Sequence, residues 1–93
     1  MAKFTVVWDS DLEADFIHVW TNADSETRAL LTYASNWADK SLSRMPESLG
    51  QPVEGEAYRI VIVPGVTSRC VEIIFEVFAA DALIRILNFR LRD

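Results

Sequence analysis

The sequence predicts an α+β fold in two layers: a helical hairpin packed on one face of a small, mostly antiparallel sheet, in the order β-α-α-β-β-β. Three observations predict it. After one short opening strand, apolar residues recur at helical spacing as far as about residue 44. Residues 45–57, MPESLGQPVEGEA, then carry Pro46, Gly50, Pro52 and Gly55, a density of breakers that no helix survives. Beyond residue 57 the chain changes to runs of β-branched and aromatic residues, which suit strands.

Each element follows from its residues. Lys3 to Trp8 reads as a strand, with Phe4, Val6 and Trp8 alternating with Thr5 and Val7. Ser10 is a candidate helix cap, and Glu13 stands three residues on, at capping-box spacing. The first helix runs to about Thr21, with Leu12, Phe16, Val19 and Trp20 on one face. TNADS breaks it, and Asp24 or Ser25 can cap a second helix that runs to about Arg44. Leu30, Leu31, Ala34, Trp37, Ala38 and Leu42 form its apolar stripe. Tyr58–Val63 is a strand that ends at the turn Pro64-Gly65. Arg69–Phe78 is a second strand, AAD a tight connection, and Leu83–Leu91 the returning strand, so that a sheet of three to four strands is expected.

Composition bounds the function. A chain of 93 residues is one domain with a modest core, and 51% hydrophobic with 25% charged residues suits a globular fold. A single cysteine excludes an internal disulfide, and Cys70 reads as a core or sheet residue. No His/Cys cluster has metal-ligand spacing, so neither metal nor cofactor is expected. The N-terminus lacks a signal-peptide core and no apolar run reaches membrane length, from which a soluble cytoplasmic protein is expected. Charge is uneven. Residues 1–57 hold ten acids against four bases, a net −6; residues 58–93 hold five arginines against four acids, a net +1. Such a balance argues against phosphate-driven nucleic-acid binding, although arginines can still cluster on the sheet.

In the middle strand Val71, Ile73, Phe75 and Val77 share one face and should lie under the helices. Cys70, Glu72, Ile74, Glu76 and Phe78 share the other, which should be partly wet because it holds two glutamates. Ile74 and Phe78 beside Glu72 and Glu76 make an amphipathic patch, and Asn88, Arg90 and Arg92 share one face of the last strand. The partner-binding candidates are therefore Glu72, Ile74, Glu76, Phe78, Arg90 and Arg92, with the two arginines meeting acids on the partner. The lone histidine, His18, reads as a solvated helix residue, and Trp8, Trp20 and Trp37 as core aromatics.

Taken in order, four pieces resemble the RelE/ParE toxin superfamily of bacterial toxin–antitoxin systems, including plasmid-stabilisation-like proteins. They are FTVVWDSDLEADFIHVW, the long second helix, PESLGQPV leading into AYRIVIV, and the closing RCVEIIFEVFAADALIRILNFRL. Tyr58-Arg59 resembles the family's Tyr-Arg pair, Arg69 stands near the arginine that opens the middle strand, and Arg90 near the basic residue that closes the last. Phe75 departs from a common tyrosine, Phe89 from a common histidine, and no tyrosine follows Arg90. The resemblance implies a toxin-like, ParE-like component that acts by protein–protein contact and is neutralised by an antitoxin partner. It leaves two alternatives, a RelE-like ribosome-dependent mRNA endoribonuclease and a non-toxic relative that only binds a partner. In the nuclease alternative Arg59, Arg69, Arg85, Arg90 and Arg92 would contact phosphate. No catalytic residue is assigned: arginine holds its proton too strongly to act as a good base, and Glu72 or Glu76 could accept a proton only if placed beside bound RNA. Without an antitoxin, the same surface should favour a homodimer.

Overall fold

The computed structural model describes residues 3–63 and 69–92. Its elements are β1 (Thr5–Trp8), α1 (Ser10–Thr21), α2 (Ser25–Arg44), β2 (Gln51–Pro52), β3 (Tyr58–Val63), β4 (Cys70–Phe78), a 3-10 turn (Ala79–Asp81) and β5 (Leu83–Arg92). The predicted order holds, with one addition. The breaker-rich stretch contributes the two-residue strand β2, so the sheet has five strands, ordered β1-β5-β4-β3-β2. Among the described residues, only β1 runs parallel to its neighbour, β5, and all other pairings are antiparallel. The predicted turn at Pro64-Gly65 lies outside the described residues.

The core fills the space between the helical hairpin and one sheet face. Leu30, Leu31, Ala34, Ala38 and Leu42 of α2 are buried against Val61, Val63, Val71, Ile73, Phe75, Ile84 and Ile86. This is the stripe and the strand face expected from periodicity, and it is the main source of stability by the burial of apolar area. α1 contributes less. Leu12 is buried and Phe16 packs against the core, whereas Val19 and Trp20 lie largely on the surface. Trp20 is thus not a core aromatic. Its Nε1 donates to Thr32 Oγ1 at 3.0 Å, and the Arg28 guanidinium lies 4.8 Å from its ring centroid. The same arginine donates to the Trp20 and Thr21 carbonyls (2.9 and 2.6 Å), closing the C-terminal end of α1, where backbone acceptors lack helical partners. Arg28 thereby fixes the turn between the helices.

The helix starts differ. Asp24 caps α2 as expected, its carboxylate accepting from the Thr27 amide at 2.8 Å. That backbone hydrogen bond, with help from the Thr27 hydroxyl and the Arg69 charge, lowers the Asp24 pKa below its ordinary 3.8. At α1, Ser10 is already the first helical residue and the cap is Asp9, with no side-chain capping bond. The expected capping box is absent because Ser10 lies one residue inside the helix, and the Asp9 carboxylate at the cap position lies 3.5 Å from Arg85 instead. Glu13 is therefore not tied to the helix start.

One irregularity decides which side chains leave the core. Between β4 and β5, Ile74 pairs with Asn88 but Phe75 pairs with Ile86, so Leu87 is an extra residue in β5. Strand side chains alternate between faces, and one inserted residue inverts the alternation. Ile84 and Ile86 face the helices before the bulge; Phe89 and Leu91 do so after it. Asn88, Arg90 and Arg92 are thereby placed on the opposite, open face.

Candidate functional site

The open face of the sheet carries the candidate site. Its rows can be read from the pairing register. Cys70 lies opposite Arg92; Ile62, Glu72 and Arg90 form the next row, followed by Ile60, Ile74 and Asn88, then Tyr58, Glu76 and Arg85, and last Phe78 and Leu83. Neighbours across such rows are the contacting side chains of a sheet. All six partner-binding candidates (Glu72, Ile74, Glu76, Phe78, Arg90 and Arg92) therefore lie on one face of the sheet, but Ile74, like Glu72, is buried there (9% exposed) by its neighbours in the rows. Sequence reasoning missed a seventh, Ile62, which at 56% exposure is the most exposed large apolar residue of this face. Its signal was the alternation of Tyr58–Val63, which places Ile60 and Ile62 opposite Val61 and Val63.

Glu72 is not on a wet surface. It is only 6% exposed, covered by the last strand's arginines. Arg92 Nη1 donates to Glu72 Oε2 at 2.8 Å, and Arg90 Nη1 lies 3.9 Å from Glu72 Oε1. The reason is register: Glu72 pairs directly with Arg90 and is diagonal to Arg92, both on its own face. A carboxylate is kept ionised under cover only by such partners. The arginine heads are more than half exposed, so the cluster is a buried anion under a wet cationic lid. Glu76 has the analogous place opposite Arg85 one row beyond the bulge, but Arg85 itself reaches Asp9.

The remaining arginines do not join this face. Arg59 sits on the helix-side register of β3 and donates to the carbonyls of Leu49 (3.1 Å) and Gly50 (3.3 Å), pinning the β2 loop. Arg69 Nη1 donates to Thr27 Oγ1 at 2.7 Å and ties the start of β4 to the start of α2. Of the five arginines considered for phosphate contacts, Arg85, Arg90 and Arg92 share the open face, and Arg59 and Arg69 are held elsewhere by the scaffold. Tyr58, in contrast, stands on the open face opposite Glu76.

β1 pairs only with Leu83–Ile86, so among the described residues no strand borders Leu87–Arg92 on that side. Asn88, Phe89 and Leu91 there line a groove of about 370 Å3 with Leu12, Asp15, His18 and Val19 of α1. The Phe89 amide is served locally, by Asn88 Oδ1 at 2.9 Å. Among the described residues no group of three or more His, Cys, Asp or Glu side chains could hold a metal ion, and no helix is long and apolar enough to cross a membrane.

Solved structures share this architecture. The toxin–antitoxin complex RelBE2 from Mycobacterium tuberculosis superposes with a TM-score of 0.74 over 97% of this chain and 99% of the matched one, at 17% identity. The fold is that of the RelE toxins. A mutant of the E. coli toxin RelE in the free state matches with a TM-score of 0.64 and 11% identity, over 96% of this chain and 82% of that one. The intact E. coli RelBE toxin–antitoxin complex matches at 0.53 and 11% identity, over 99% of both chains. A scan of protein-family models gives no match, and neither does a search of curated proteins. The architecture is thus shared at 11–17% identity, as expected where a fold is set by apolar patterning more than by particular residues.

Proposed function

We propose that this chain is the toxin-like component of a type II toxin–antitoxin pair, that it acts in the ParE-like manner through protein–protein contact, and that an antitoxin neutralises it. The shared fold supports the reading, since two of the matched structures are toxin–antitoxin complexes. The observation that carries the choice of protein contact is the Glu72 cluster. A phosphate track needs uncompensated cations, because it draws its affinity from displacing counterions. Here Arg90 and Arg92 already share a covered carboxylate, and Arg85 has Asp9 beside it. What the open face offers instead is the exposed Ile62 with the half-buried Ile60, Phe78 and Leu83, backed by the buried Ile74 and flanked by oriented charges. That is the make-up of a protein interface, an apolar centre with a polar rim. The unbordered edge of Leu87–Arg92 adds main-chain groups that an extended antitoxin segment can pair with. The nuclease alternative draws support from Tyr58, a proton-shuttling type of residue on the same face.

Size-exclusion chromatography with light scattering, on the chain alone and with the product of the adjacent reading frame, tests this reading. A stable hetero-complex is expected, and Ile62→Asp, which alters an exposed residue and leaves the core intact, should weaken it. No complex with that product, or a complex indifferent to Ile62→Asp, would contradict the reading.

A further inference from the structure

We infer that the hollow at the base of the helical hairpin, on the layer opposite the open face, is a recognition pocket for an arginine side chain of a partner protein. The hollow has a volume of about 310 Å3, within the range of small-ligand sites, and is lined by Trp8, Glu13, Phe16, Ile17, Ser35 and Asp39. Its walls are apolar. Trp8 and Phe16 meet edge to face with centroids 5.5 Å apart, and Ile17, 57% exposed, forms the outer lip. Its two charged groups are both carboxylates. Glu13 is free of the helix start because Asp9, not Ser10, caps α1. Asp39 accepts from Trp8 Nε1 at a long 3.5 Å. Among the described residues neither carboxylate has a cation within ion-pair distance, and α1 carries three acids and no lysine or arginine.

The ligand chemistry follows from these parts. A flat cation with an aliphatic stem matches aromatic walls under two carboxylates, and arginine provides both. The molecule itself shows the arrangement at the other end of the same hairpin. There Arg28 lies 4.8 Å from the Trp20 ring and donates to helix carbonyls. The Trp20 site is filled from within the chain, whereas the Trp8 site is open. An interfacial arginine anchored this way is a common centre of binding energy. The occupant is thus a partner segment that presents an arginine, and it docks on the acidic α1 side of the helical layer, independently of what binds the open face.

Indole N–H signals in two-dimensional NMR report on the two sites separately. The full chain is titrated with N-acetyl-arginine amide and with N-acetyl-citrulline amide, its neutral isostere. The arginine probe should shift the Trp8 indole N–H saturably, with a Kd on the order of millimolar for a single side chain, and leave Trp20 in place. Citrulline should bind more weakly, and Glu13→Gln with Asp39→Asn should raise the arginine Kd roughly three- to tenfold, the scale of two solvent-exposed ion pairs. Equal shifts with both probes, parallel movement of Trp20, or no saturable Trp8 shift would overturn the inference. So would a Trp8 shift that depends on protein concentration without any probe, which would make a second copy of the chain the occupant.

Discussion

Glu72 is a covered carboxylate that accepts from Arg92 at 2.8 Å and has Arg90 at 3.9 Å. The two distances give a ranking that can be measured. In double-mutant cycles by urea denaturation, Glu72→Gln with Arg92→Ala should show a coupling of about 1–2 kcal/mol, reduced from that of a fully buried charged hydrogen bond by the exposure of the guanidinium. Glu72→Gln with Arg90→Ala should show less than half of that. A second single-residue test concerns Asp24. Its folded-state pKa is lowered, so the stability it contributes is fully present above the ordinary 3.8 and is lost as pH falls through the folded value. Asp24→Ala should therefore destabilise the protein at neutral pH, and the difference from the parent chain should vanish in strong acid. Chemical denaturation at pH 7 and near pH 2 checks this. The cap was legible from Asp24 and the following helix; the Glu72 cover was not, because it depends on which residues of β5 arrive opposite.

At the scale of elements, both helices and the three long strands were legible, because each carries a sustained period and β-branched or breaker residues bound it. β2 was not legible, since two residues cannot show a period and Pro52 argues against a strand except at an edge, which is where it sits. The bulge at Leu87 left a signal that can be read in retrospect. Ile84 and Ile86 are apolar while Asn88, Arg90 and Arg92 are polar, yet all five share one parity. An unbroken strand would force them onto a single face. The same point yields a prediction. Deletion of Leu87 should restore uninterrupted alternation and drive the arginines toward the core or Phe89 and Leu91 out of it. Loss of cooperative unfolding, followed by near-UV circular dichroism, is the expected result; a deletion variant with the parent midpoint would show that the bulge does not set the faces. Trp20 failed as a core residue for a related reason. α1 lies at the margin of the sheet, so only Leu12 and Phe16 of its apolar positions find a surface to cover.

For the whole molecule, charge is patterned by element. Asp11, Glu13 and Asp15 line α1 with no basic partner on that helix except His18, while α2 sets Arg28, Lys40 and Arg44 against Glu26 and Asp39. On the open face Arg85, Arg90 and Arg92 stand among Glu72 and Glu76, and the arginines of the last strand are oriented by a glutamate of its neighbour. The candidate surface was legible as a set of residues because strand parity groups Glu72, Ile74, Glu76 and Phe78. The pairing of Arg90 and Arg92 with Glu72 was not, and the proposed choice of a protein partner over RNA rests on that pairing. The decisive experiment is primer extension on mRNA translated in the presence of the purified chain. No cleavage above the background of a no-protein control is expected. Clean cuts within codons that disappear on Arg90→Ala would contradict that choice and would make the open face an RNA-cutting surface.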